Sequence, residues 1–178
     1  MSLGFFVGGA AIGLLAGYLV WDTEPVDAPA TAETTPVDPV ADLLAQAVEL
    51  DAVGDTAGAE AIYEQILMEY PNNDLALYNM GVLRHFAGLV DEAADFYRRA
   101  IAANPQQVSA MYNLALLLRD EGDVDGSREA FEQILELRPD DANVLFQLGT
   151  MLVEDGQVAD GQDYIDLARE IDPDVGRG

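Results

Sequence analysis

A step of 34 residues governs this chain. Pro71, Pro105, Pro139 and Pro173 stand 34 residues apart, and Gly54, Gly88, Gly122 and Gly156 keep the same interval. Eight positions before each proline sits a large apolar residue: Tyr63, Tyr97, Phe131 and Ile165. Self-similarity at a fixed period of this length demands stacked copies of one supersecondary unit. Two helices of about 13 residues and two short turns fill such a unit, so the period predicts helix-turn-helix pairs. In the second unit Ala93, Phe96, Tyr97, Ala100 and Ile101 recur at the 3 and 4 spacing of one buried helical face. Gly88 and Gly122 close helices where a positive φ costs little, and Asp91 and Asp125 suit the positive start of the helix that follows. Asn104-Pro105 and Arg138-Pro139 stop the second helices, because the residue before proline avoids the helical region.

The first helices carry Leu-Tyr-Asn-Met-Gly at 77–81, Met-Tyr-Asn-Leu-Ala at 111–115 and Leu-Phe-Gln-Leu-Gly at 145–149, while Ala59 and Ala93 stand in the second helices. These motifs resemble the tetratricopeptide repeat (TPR) family over residues 40–173. One segment and two single positions depart from its pattern. Residues 43–47 keep only the apolar spacing, and Ser127 and Gly161 stand where the family packs alanine. The resemblance implies an all-α chain: an α-solenoid of four helix-turn-helix repeats, right-handed, whose first helices line a concave, protein-binding face. The solenoid domain is 40–178, with repeats at about 40–73, 74–107, 108–141 and 142–175.

Counting along the family's first helices places Tyr78, Val82 and His85, then Ser109, Tyr112, Leu116 and Arg119, then Asn143, Phe146 and Thr150 toward the groove. Asn79 and Asn113 beside them carry amides suited to the backbone of an extended peptide. The aromatics equally suit packing between neighbouring helices. The chain has no lysine, so the basic clamp by which chaperone-binding members hold a C-terminal carboxylate is absent.

Composition narrows the function further. Eight arginines oppose 33 acids, a net charge of −25, and phosphate contact needs a basic stripe that this chain lacks, which disfavours nucleic acid as a partner. The acids are spread over all the repeats, which reads as adaptation to high salt or as attraction for a basic partner. There is no cysteine, His85 is the only histidine, and Ser2, Ser109 and Ser127 are the only serines, so no nucleophile-base constellation assembles. No catalytic, cofactor-binding or metal residues are assigned. Glu121, Asp123, Asp125, Gly126 and Glu132 have calcium-loop spacing, but Arg128 takes the place of a buried aliphatic residue and the stretch spans a repeat turn.

Residues 3–21 contain no charged side chain, and 19 residues at about 1.5 Å each span roughly 28 Å, enough for a bilayer core. Residues 1–21 are therefore expected to form one N-terminal transmembrane helix. Gly4 and Gly8, with Gly9, Gly13 and Gly17, give that span a small-residue packing ridge for an integral membrane partner or a second copy of itself. Residues 22–39, rich in proline, threonine and acids, read as a tether reaching at most roughly 56 Å. With no basic side chain before Arg84, only the α-amino group favours a cytoplasmic N-terminus, which would export the repeats.

The expected function is a non-enzymatic, single-pass membrane scaffold that recruits, stabilises or helps assemble a protein complex. Two neighbouring readings are a permanent accessory subunit of a respiratory or photosynthetic complex, and a chaperone similar to the periplasmic TPR proteins of cytochrome c maturation; an enzyme or a calcium-binding protein is the last alternative.

Overall fold

The computed structural model describes residues 39–177. The expected transmembrane helix, its ridge of Gly4, Gly8, Gly9, Gly13 and Gly17, and nearly all of the expected tether fall outside the described residues. No described helix is long and apolar enough to cross a membrane.

The described residues form eight helices and no strand: α1 (Pro39–Ala52), α2 (Thr56–Glu69), α3 (Asp74–Phe86), α4 (Val90–Ala103), α5 (Val108–Asp120), α6 (Val124–Leu137), α7 (Ala142–Glu154) and α8 (Val158–Ile171). They stack as consecutive antiparallel pairs into a solenoid, each helix packing chiefly on the next in sequence.

One turn recurs four times within the pairs. At α3–α4, Leu89 N–H donates to Arg84 O and Gly88 N–H to His85 O, both at 2.9 Å. The same two bonds close the turns at Gly54, Gly122 and Gly156. This closure needs a left-handed residue, and those four glycines have φ of 74° or 86°. Between pairs, α4 and α6 are capped by Asn104 and Arg138, which leave the helical region ahead of their prolines. Aspartates cap several helix starts: Asp55 accepts from Gly58 N–H and Asp123 from Gly126 N–H, each at 3.0 Å, and Asp141 accepts from Val144 N–H at 3.2 Å. Asp123, one of the calcium-spaced acids, thus serves as a helix cap.

Each pair crosses over small residues. Ala47 and Ala59 are fully buried beside Tyr63, and Ala93 beside Tyr97. A methyl on Gly81 would come within 2.6 Å of the Tyr97 ring. Ser127 is buried and its Oγ lies 3.6 Å from Met151 Sδ, so the serine is accommodated by a polarisable sulfur. At Gly161, α7 and α8 approach so closely that an added methyl would sit 2.5 Å from Gly149 O. The departure from alanine there is matched by a glycine on the opposite helix.

The residues after α8 close that end. Val175 is buried in a cluster with Ala142, Leu145 and Ala168. Gly176 follows at φ 74°, packed so tightly on Phe146 that a methyl would strike the ring. Burial of apolar side chains on the last pair is thus completed by an irregular segment as well as by the polar outer face of α8.

Candidate protein-binding cleft

The first helices α3, α5 and α7 bring Tyr78, Val108, Ser109, Tyr112, Asn113, Asp141 and Asn143 around one open cleft of about 450 Å³. Five of these are groove positions expected from the sequence. Val108 and Asp141 were not, and both stand at the entry to a helix. Asp141 holds the register of Asn73 and Gln107, so its place beside the groove was open to a reading of the turns rather than of the helices.

Each aromatic has a packing role as well as an exposed edge. Tyr78 and Tyr97 have ring centroids 6.1 Å apart, and Tyr112 meets Phe131 edge-on at 5.7 Å. Asn113 Nδ2 lies 3.5 Å from the hydroxyls of both Tyr78 and Tyr97, joining α5 to the preceding pair. Burial pushes the Tyr97 hydroxyl up to about 12, opposed by the Asn113 bond and reinforced by the nearby Tyr78. Phe146 is half-buried, under Gly176 on one side and with the Arg169 guanidinium 5.9 Å from its ring centroid.

The other expected residues lie outside this cleft. Asn79 Nδ2 donates to Leu75 O at 2.9 Å and Thr150 Oγ1 to Phe146 O at 2.8 Å, so both amide and hydroxyl are turned onto their own helices. Val82 and Leu116 are half-buried against neighbouring core clusters. Arg119 donates to Gln147 Oε1 at 2.6 Å, spanning α5 to α7. His85 is exposed and stacks on Phe86 at 6.4 Å between centroids.

A second interrepeat network was not foreseen. Arg84 donates through Nη2 to Glu60 Oε1 at 2.5 Å, and its Nε lies 3.0 Å from Glu92 Oε2 without the alignment of a hydrogen bond. The Arg84 bond lowers the Glu60 carboxyl below its ordinary range against a smaller desolvation effect, and the same bond raises Arg84. Asp74 Oδ2 accepts from Asn104 Nδ2 at 2.7 Å, tying α3 to the end of α4.

An all-helical stack of like pairs, with a cleft across its first helices and side chains bridging from pair to pair, is the architecture of a helical repeat scaffold. Tetratricopeptide repeat family models match residues 52–117 and 112–175, and the chain belongs to that family, whose fold serves protein–protein interaction. The crystal structure of MamA is similar at a TM-score of 0.69 and 22% identity, covering 76% of this chain and 79% of that one. A tetratricopeptide repeat protein from Parabacteroides merdae aligns at a TM-score of 0.69 and 18% identity, covering 78% and 55%. A mutant Thermobaculum terrenum O-GlcNAc transferase reaches 33% identity at a TM-score of 0.56, covering 64% of this chain and 22% of that protein. No curated protein matches the sequence.

Proposed function

We propose that this chain is a membrane-anchored TPR scaffold, without catalytic activity of its own, that recruits or helps assemble a membrane-associated protein complex. The cleft across α3, α5 and α7 carries the reading: hydroxyls, amides and one carboxylate project among aromatic edges, as a peptide backbone and its side chains require. In this reading residues 1–21 anchor the chain and residues 22–39 tether it. The glycine ridge docks on an integral membrane partner or a second copy, and the repeats lie on the exported side.

The test is extraction of the full chain in mild detergent, followed by identification and stoichiometry of what accompanies it. The proposal expects a protein partner whose retention falls at least tenfold in Tyr112→Ala. It also expects loss of a membrane partner when Gly9, Gly13 and Gly17 become leucine. Recovery of the chain alone, with no partner retained by the unaltered protein, would overturn the scaffold reading.

A further inference from the structure

Besides the polar cleft, the first two pairs carry an apolar one. Leu44, Ala45, Val48, Glu49 and Ala52 of α1 face Leu75 and Asn79 of α3 around about 470 Å³. Val48 is 52% exposed and Leu75 46%, high values for branched apolar side chains on packed helices. Along α3 the series Leu75, Asn79, Val82, Phe86 follows the i, i+4, i+7, i+11 spacing of one helical stripe about 16 Å long. Phe86 ends it at 89% exposure, the highest among the exposed large apolar side chains of the described residues.

The repeat register shows how unusual that end is. Phe86 stands where the other pairs have Ala52, Asp120 and Glu154. Leu89, 43% exposed, takes the place where Asp55 and Asp123 cap their helices, and α4 accordingly begins with no side-chain cap. Replacing a capping aspartate by an apolar residue sacrifices about 1 kcal/mol of helix stability. Phe86, whose one ring contact is with exposed His85, buries almost no apolar surface in return.

We infer that the α1–α3 cleft and Phe86 form a docking groove for an amphipathic helix of a partner protein, with apolar residues on one face and lysine or arginine flanking it. This rests on the scaffold reading and assigns a second site to it. The apolar stripe sets the inner face of the occupant, since a helix laid along α3 can place residues three and four apart against Leu44, Val48, Leu75 and Phe86. Charge sets its flanks. Residues 39–90 contain eight acids, including Glu49 in the cleft itself. Their only arginine, Arg84, is engaged by Glu60 and Glu92. An acidic helix would be repelled there, and a second copy of a chain of net charge −25 would meet the same repulsion. An anionic lipid surface would meet the same repulsion.

The experiment uses the full chain in detergent and three labelled peptides of about 18 residues, long enough for the stripe. One has leucine on one helical face and lysine on the other, one has glutamate for each lysine, and one scrambles the first. Fluorescence anisotropy should show saturable binding of the Leu/Lys peptide, at least tenfold weaker for the other two. Leu75→Glu and Phe86→Ser should each weaken it at least tenfold, while Val158→Ser, at an exposed apolar position of α8 outside both clefts, leaves it unchanged. Phe86 is so exposed that its variant should keep the unaltered helical content and melting temperature. Equal binding of the scrambled peptide, indifference to both substitutions, or no binding at all would overturn the inference. So would a dimer of the full chain, seen by light scattering, that Leu75→Glu dissolves. Loss of this site with a Tyr112-dependent partner still retained would overturn the second site alone and leave the scaffold reading standing.

Discussion

Gly161→Ala places one methyl where α7 and α8 touch, and the structure fixes what that methyl meets: Gly149 O at 2.5 Å, Val153 Cγ2 at 2.7 Å and Val153 N at 2.8 Å. Two of these are backbone atoms, so no rotamer change relieves them. Ordinary contact begins at 3.4 Å, and the helices must part by up to about 0.9 Å. Overpacking of this kind costs about 1–3 kcal/mol, and the better helix propensity of alanine returns about 1 kcal/mol. Because the obstruction is backbone, the upper end applies, and the net loss should be about 2 kcal/mol. At this size that corresponds to a fall of about 4–8 °C in melting temperature. Thermal denaturation measures the total, and amide hydrogen exchange locates it. Exchange should quicken in α7 and α8 and stay unchanged in α3 and α4, since repeats are stabilised by their neighbours. A variant as stable as the parent, or a loss of protection spread evenly over all the pairs, would refute the claim that the glycine pair sets the crossing distance.

Three further outcomes follow from the contacts described. Glu60→Gln should cost about 1 kcal/mol in urea unfolding at neutral pH. The Glu60 carboxyl is lowered in the folded chain, so its contribution is fully present above the unfolded value near 4.5 and is lost as pH falls through the lowered folded value; variant and parent should converge on further acidification. In an alkaline ultraviolet titration, one of the seven tyrosines should ionise only at about 12, and Tyr97→Phe should remove that step. Its raised value means stability is intact below pH 10 and declines between 10 and 12, a decline the phenylalanine variant should lessen. Gly176→Ala should push the terminal segment off Phe146, uncover Val175 and raise proteolysis at 172–177, with α1 to α4 keeping their exchange protection.

Residues that repeat could be read from the sequence, and residues that act once could not. The prolines, turn glycines and small crossing residues recur every 34 positions, and their helices, turns and burial followed from that recurrence. Ser127 and Gly161 looked like faults in the pattern because the sequence of one helix does not display the helix opposite. Met151 and Gly149 supply what each lacks. The bridges between pairs were equally hidden. Arg84 and Glu60 are 24 residues apart and Asn113 and Tyr78 are 35, with no motif to link them. Of the groove positions, those near the start of the first helices gathered in one cleft. Asn79 and Thr150 instead found backbone carbonyls one turn back, a local bond that a helical wheel does not show. Phe146 met Gly176, which keeps the register of Ala142 but turns left-handed where Ala142 begins a helix, a difference that register counting does not show.

The stacking of each described helix chiefly on its sequence neighbour has a kinetic consequence. Partners that lie within a few tens of residues of each other close short loops, so little chain entropy is lost before a contact forms. Folding of the repeats should therefore be fast for their size and able to begin at any pair, spreading outward by zippering. Docking a partner on α1 and α3 would then bias where the zipper starts, without altering the structure it reaches.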